Sequence, residues 1–134
     1  MHVKALTQNR MESGRRFAEL LIDEDLSPKA AFWIYNSELK DWQLVLGHVN
    51  GIGDDVEAFS GKVAGILDAY ETQLPELQVG DVSLALRDAP ILELLNSVVN
   101  TGEELLGINF SNEEINGIVI DGVYLYRMNI TAFA

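Results

Sequence analysis

The amino-acid sequence predicts one α+β domain over residues 1–134, with a mostly antiparallel sheet of five to six strands and two to three helices packed on one face. Three observations lead to this fold class. Segments with helical apolar spacing alternate with short runs of aromatic and β-branched residues, turn residues separate paired runs, and no linker or low-complexity tract divides the chain. Hydrophobic residues make up 48% of the composition, which suits an ordinary folded core.

An apolar stripe predicts the first helix, from about Gln8 to Ile22. Gly14 lies inside this segment and lowers its helix propensity, because glycine loses more backbone freedom than other residues on folding. The stripe consists of Met11, Phe17, Leu20 and Leu21.

The next segment predicts a β-hairpin. Residues 30–35 have the aromatic and branched content of a strand, polar residues 36–41 form the turn, and residues 42–47 form the returning strand. Strand alternation puts Trp33 on one face and Phe32 on the other. Both faces are therefore heavily apolar, so either both are covered or one of them is free to bind a partner.

A glycine loop and a capped helix follow the hairpin. In Asn50-Gly51-Ile52-Gly53 the glycines can take positive φ, and Asp54 is placed to cap a helix that runs to Tyr70. Its apolar face consists of Val56, Phe59, Val63, Ile66, Leu67 and Tyr70.

A short strand at Val82–Leu86 and a third helix are expected next. Asp88 would cap this helix, and Pro90 would lie in its first turn, where the missing proline N–H needs no partner. The core face of the helix would consist of Ile91, Leu94, Leu95, Val98 and Val99.

The C-terminal third predicts three antiparallel strands. They cover residues 105–110, 115–120 and 123–128, with residues 111–114 as the first turn. Asp121-Gly122 is the two-residue loop between the last two strands, because Asp-Gly between apolar runs is a strong hairpin signal. This register pairs Ile120 with Val123 and Ile118 with Leu125, and it points all four side chains towards the core.

Charge limits the partners of this chain. It holds 9 Lys and Arg residues against 21 Asp and Glu residues, a net charge of −12. Such a surface repels phosphate backbones, so we expect neither nucleic acid nor an anionic membrane as a partner. The acidity serves either general solubility or a negative face that docks onto a basic protein.

Other function classes are excluded by composition. The absence of cysteine rules out disulfides, thiolate zinc sites and a cysteine nucleophile. No motif for catalysis, a metal or a cofactor is present, so we assign no catalytic, metal-binding or cofactor-binding residue. With no signal-peptide pattern and no apolar stretch long enough to span a bilayer, we expect a soluble, cytoplasmic protein.

Two local features could carry chemistry, and each has a structural alternative. Gly51 and Gly53 stand between a strand and a helix, where a phosphate loop would be, but no third glycine follows, and Asp54 and Asp55 would repel a phosphate. A structural turn is the favoured interpretation. His48 could act as a general base or a ligand, but it has no partner nearby in the sequence, which favours a structural histidine.

Acidic pairs recur at Asp54-Asp55, Glu103-Glu104 and Glu113-Glu114. Carboxylates that meet in space can bind a hard cation or act as acid and base. Neighbouring side chains diverge on a strand and do not face each other on a helix, however, so solvated surface is the favoured interpretation of these pairs.

Aromatic residues give the best functional lead in the sequence. Core burial is the favoured interpretation, since aromatics fill interiors more often than they mark interfaces. The alternative is an interaction surface, because Trp and Tyr are enriched where proteins meet. The candidates for that surface are Trp33, Tyr35, Trp42, Tyr124 and Tyr126.

Two aromatic segments carry a resemblance. The first hairpin, with Ala31-Phe32-Trp33-Ile34-Tyr35 and Trp42-Gln43-Leu44-Val45, and the closing Val123-Tyr124-Leu125-Tyr126-Arg127 resemble small uncharacterised bacterial proteins with a tryptophan-bearing hairpin and a final Tyr-x-Tyr-Arg strand. The resemblance implies an α+β domain and a bacterial source. That group has no known activity, so the resemblance assigns no functional residue.

Two function hypotheses follow. The first is a small acidic, non-enzymatic protein-interaction module, similar to an antitoxin, an immunity protein or an inhibitor, whose acidic surface binds a basic protein. The second is a small hydrolase or ligand-binding domain that uses carboxylates together with His48. The sequence favours the non-enzymatic hypothesis without deciding whether the chain is an enzyme, and a homodimer is compatible with both.

Overall fold

The computed structural model describes residues 4–115 and 117–130, without the side chains at 112 and 113. Within these residues the chain forms three α-helices and five strands. In chain order they are α1 Gln8–Asp23, β1 Pro28–Asn36, β2 Asp41–Val49, α2 Val56–Ala69, β3 Val82–Ala85, α3 Pro90–Asn96, β4 Ile108–Ile115 and β5 Ile118–Met128. Short 3₁₀ turns at Glu71–Gln73 and Val79–Asp81 connect α2 to β3.

The strands of the described chain form one sheet in the order β3-β2-β1-β5-β4. β1 pairs antiparallel with both β2 and β5, β4 pairs antiparallel with β5, and β3 runs parallel to β2. This architecture confirms the α+β class and the mostly antiparallel sheet of the sequence analysis. The first hairpin is also confirmed, since Tyr35 pairs with Trp42 and Ala30 with Gly47.

Two hydrophobic cores lie on opposite faces of the sheet. α1 and α2 cover one face, where Phe17 and Phe59 pack with Trp33. α3 covers the other face, where Leu92 packs with Phe32. The two apolar faces of β1 are therefore both buried, and two of the three described helices share one face.

The predicted Asp121-Gly122 hairpin is wrong, because both residues lie inside β5. Residues 111–114, predicted as a turn, belong to β4. Gly122 pairs with Ser111, and Val123 pairs with Phe110. Gly122 is required for packing: a Cβ at this position would lie 2.7 Å from the Trp42 ring. A glycine that accommodates an aromatic ring thus resembles, in sequence, a glycine that makes a turn.

The chain instead reverses between Ile115 and Ile118, which pair with each other. Gly117 has φ 80°, a conformation that glycine adopts without strain. Residue 116, part of the predicted strand 115–120, lies outside the described residues. The shift in register leaves Ile118 52% exposed, whereas Ile120 and Val123 reach the core as expected.

Two helix caps differ from expectation by one residue. Asp55 caps α2 by accepting the backbone N–H of Ala58 at 3.0 Å. Asp54, the predicted cap, instead accepts the backbone N–H of Arg87 at 2.7 Å. Ala89 takes the N-cap position of α3 in place of Asp88, and Pro90 begins the helix as predicted.

Candidate functional site

A cleft with a volume of about 830 Å³ opens at one end of the sheet. β1 begins there, β2 and β5 end there, and residues 49–54 line part of it. Residues far apart in the sequence therefore meet at this edge. The charged or titratable residues of its lining are Lys29, His48, Asp54, Arg87, Glu103 and Arg127.

A β-bulge sets the direction of Arg127. Ala31 on β1 pairs with Arg127, but the next residue, Phe32, pairs with Leu125, which leaves Tyr126 as an extra residue on β5. Paired residues of neighbouring strands project to the same face, so Arg127 shares the face of Ala31, which α1 and α2 cover. Regular alternation from Leu125 would place Arg127 on the opposite face. Bulges of this kind re-aim side chains next to functional sites.

The Arg127 guanidinium is held by neutral oxygen atoms. Nη1 donates to Ser27 Oγ at 2.9 Å and to the Pro28 carbonyl at 3.0 Å. Nη2 donates to the Glu103 carbonyl. Nε is buried and has no acceptor among the described residues. Arg127 is only 8% exposed, and no described carboxylate lies within 4.0 Å of its guanidinium.

The charge of Arg127 is therefore not neutralised by direct contact. Burial lowers the pKa of this guanidinium, and the Glu103 carboxylate opposes the shift. Arginine nevertheless stays protonated in proteins, because its ordinary pKa lies far above neutral pH. A positive charge with little access to water consequently lies in the cleft wall.

His48, Asp54 and Arg87 form a second part of the lining. His48 has φ 49°, a region that non-glycine residues rarely adopt. Its Nε2 lies 3.4 Å from the Arg87 carbonyl oxygen. The Asp54 carboxylate binds the Arg87 backbone N–H, and Gly51 and Gly53 with φ 78° and 60° allow the loop to turn beside it. The loop before α2 is thereby tied to the segment that follows β3.

Unpaired positive charges concentrate at this cleft. No carboxylate of the described residues lies within 4.0 Å of the charged groups of Lys29, Arg87 or Arg127. Lys40 and Lys62 also lack such a carboxylate and are not part of the cleft. The basic residues that do form ion pairs are Lys4, Arg10, Arg15 and Arg16.

The aromatic candidates lie mainly in the core. Trp33, Tyr35, Trp42 and Tyr126 are all 9% exposed or less, and Tyr124 is half-buried. Tyr35 packs edge-on against Trp42 with ring centroids 5.7 Å apart. Of the two interpretations of these aromatics, burial supports the core role, because a buried ring cannot touch a partner without rearrangement.

The other sequence candidates separate in space. His48 and Asp54 lie in the cleft together with Glu103, whereas Asp55 caps α2. No group of three or more acidic or histidine side chains in the described part of the chain is placed to hold a metal ion. Sequence reasoning missed Lys29, Arg87 and Arg127. In the sequence, Arg127 is visible only as a basic residue at the end of an apolar strand. The bulge that reorients its side chain cannot be recognised from the spacing of the apolar residues.

Comparisons with known proteins give no relative to guide this assignment. No protein-family model, no curated protein and no solved structure matches the chain. Among the helices of the described residues, none has both the length and the apolarity of a membrane span. Function is therefore inferred from the geometry of the cleft.

Proposed function

We propose that this protein binds a small molecule in the cleft at the end of the sheet. The observation that carries the proposal is Arg127, a buried arginine in the cleft lining that contacts only neutral oxygen atoms. A volume of about 830 Å³ falls within the range of known ligand sites, which have roughly 300–1,000 Å³ and a few convergent polar groups. Burying an arginine without a carboxylate partner costs stability, which a bound ligand would offset.

The sequence analysis offered a small hydrolase or a ligand-binding domain as its second hypothesis. Of these two, the cleft favours ligand binding. One carboxylate oxygen of Asp54 is occupied by the Arg87 backbone N–H, which suits a structural role. The hydroxyl in the lining, Ser27 Oγ, accepts a hydrogen bond from Arg127. His48 and Glu103 then contribute polarity to a binding site.

A ligand screen by two-dimensional amide NMR tests the proposal. We expect a ligand to shift the signals of Gly51 and Gly53 in the loop and of Asn129 after β5, because all three residues line the cleft. Arg87→Trp, at an exposed lining position, should reduce binding by occlusion. Lys62→Trp, on the exposed surface of α2, is the matched control and should bind normally. A broad library that shifts none of these signals would refute the proposal.

A second candidate is the acidic interaction module of the sequence analysis. One structural observation favours it: burial withdraws Arg10 and Arg127 from the surface, so the exposed charge is more negative than the composition alone indicates. A basic protein would bind such a surface by long-range attraction, weakened by salt. In a pull-down at low and high salt, the triple variant Asp23→Lys, Glu24→Lys, Asp25→Lys should lose a partner that the original chain retains. Equal capture by both proteins would count against electrostatic docking.

A further inference from the structure

We propose that the ligand of this cleft carries a carboxylate or phosphate group, which Lys29, Arg87 and Arg127 recognise. This inference rests on the proposed ligand-binding function and specifies the chemical class of the ligand. No sequence motif indicates an anion site, because the three basic residues lie far apart in the chain. Only the fold brings them to the lining of one cleft.

The distribution of charge is the first argument. The chain has 21 acidic residues and only 9 basic ones, so a basic side chain readily finds a carboxylate. Within the described residues, some basic side chains have no carboxylate within 4.0 Å. Three of these, Lys29, Arg87 and Arg127, line one cleft. Like charges that line one cleft repel one another, and a bound anion would relieve this repulsion.

The state of Arg127 is the second argument. A guanidinium has five N–H donors, and the contacts to Ser27, Pro28 and Glu103 use three of them. These contacts orient the side chain without neutralising it. A planar cation that is already fixed in place loses little conformational entropy on binding, and carboxylates and phosphates match its geometry.

The backbone gives an independent third argument. Two strands depart from regular geometry at this end of the sheet, β5 by the bulge at Tyr126 and β2 by the positive φ of His48. A left-handed conformation is unfavourable for a non-glycine residue, and such conformations cluster at functional sites. Both departures occur at residues of the cleft lining or next to them.

The surrounding charge restricts the ligand to small anions. Asp54 and Glu103 also line the cleft, and the chain as a whole has a net charge of −12. A polyanion such as nucleic acid would extend over this acidic surface and be repelled. A small molecule with one anionic group presents less negative charge to these carboxylates than a polyanion does.

Titration calorimetry with defined anions tests the inference, using the full chain. The probes are inorganic phosphate and malonate, with glycerol as a neutral compound, at low ionic strength. We expect phosphate, malonate or both to bind saturably, and glycerol not to bind. Lys29→Met and Arg87→Gln, both at exposed positions, should each weaken binding by about tenfold, as expected for the loss of one charged contact. Lys62→Met removes a lysine outside the cleft and should leave the affinity unchanged.

The two anions show whether the anionic group of the ligand is a phosphate or a carboxylate. Preferential binding of phosphate supports a phosphorylated ligand, and preferential binding of malonate supports a carboxylic acid. Arg127→Gln adds a test at the buried position and is interpreted only if its unfolding transition is retained. Absence of saturable binding by either anion, or equal weakening by Lys62→Met, would overturn the inference. If neutral library compounds still shift the NMR signals of Gly51 and Gly53 in the Lys29→Met protein, the proposed binding function is supported. Only the proposed anionic class of the ligand is then wrong.

Discussion

Trp33 and Tyr126 are joined by a buried hydrogen bond: the indole Nε1 of Trp33 donates to the Tyr126 hydroxyl at 3.0 Å, across 93 residues of sequence. The same hydroxyl donates to the carbonyl of Met11 in α1. Arg10 of the same helix lies over the Trp33 ring, 4.7 Å from its centroid. These contacts hold α1 against the centre of the sheet, with both aromatic side chains almost completely buried.

Gly14→Ala should destabilise the protein although alanine is the better helix former. A Cβ at Gly14 would lie 2.5 Å from both Trp33 Nε1 and Tyr126 Oη, so α1 would have to move away. We expect a loss of about 1–3 kcal/mol in the free energy of unfolding in urea. Gly61→Ala is the matched control, because its Cβ meets no atom within 4 Å, and it should stabilise by about 0.5–1 kcal/mol. Similar effects of both changes would mean that α1 does not pack this closely.

Tyr126→Phe should cost about 1–3 kcal/mol in the free energy of unfolding. The change leaves the Trp33 N–H and the Met11 carbonyl without their buried partner. Tyr35→Phe serves as the control, because the Tyr35 hydroxyl makes no hydrogen bond to the described part of the chain, and we expect an effect within about 0.5 kcal/mol. A neutral Tyr126→Phe change would show that the hydroxyl is not needed to position α1.

Tyr126 should also resist ionisation at alkaline pH. Burial raises its pKa above the ordinary 10.0, and the hydrogen bond from Trp33 only partly opposes this. Because the folded-state pKa is the higher one, the stabilisation is complete below pH 10 and is lost as pH rises above it. Ultraviolet absorbance at pH 11 should show one tyrosine that ionises only on unfolding, and Tyr126→Phe should remove that signal.

The lowered pKa of Asp41 predicts how the stability of the protein changes in acid. Burial raises its pKa, but hydrogen bonds from Arg10 at 2.9 Å and from the Trp42 backbone N–H at 2.8 Å outweigh this and lower it below 3.8. A lowered pKa gives stability that is present above about pH 4 and is lost as pH falls through the folded-state value. Asp41→Asn should therefore flatten the decline of the urea midpoint below pH 4. Asp68→Asn, at an exposed position on α2, should not change it.

Gly122→Ala tests the position of Gly122 in the sheet. Its Cβ would lie 2.7 Å from the Trp42 ring, so the ring must shift, at a cost of about 1–3 kcal/mol. Thermal unfolding measures this loss, and near-ultraviolet circular dichroism reports the altered tryptophan environment. An unchanged aromatic signal in a folded Gly122→Ala protein would contradict the packing of Trp42 over β5.

Much of the fold could be predicted from the sequence because its signals are local. The period of the apolar residues located α1 and α2, and the aromatic run with its polar turn located the first hairpin. The C-terminal hairpin could not be predicted in the same way. A turn glycine such as Gly117 and a packing glycine such as Gly122 look alike until Trp42 is placed in space.

The candidate site was predictable only in part. His48 and the neighbouring glycine loop are visible in the sequence, but Lys29, Arg87 and Arg127 become related only in the folded chain. Sequence by itself determined the class of the fold, the strongly acidic charge and the apolar character of both faces of β1. Tertiary structure alone decided which aromatics were buried, which glycines turned the chain and which cations met in one cleft. The physical reason is that periodicity and composition are properties of neighbouring residues, whereas a strand bulge and a cleft depend on how distant segments pair.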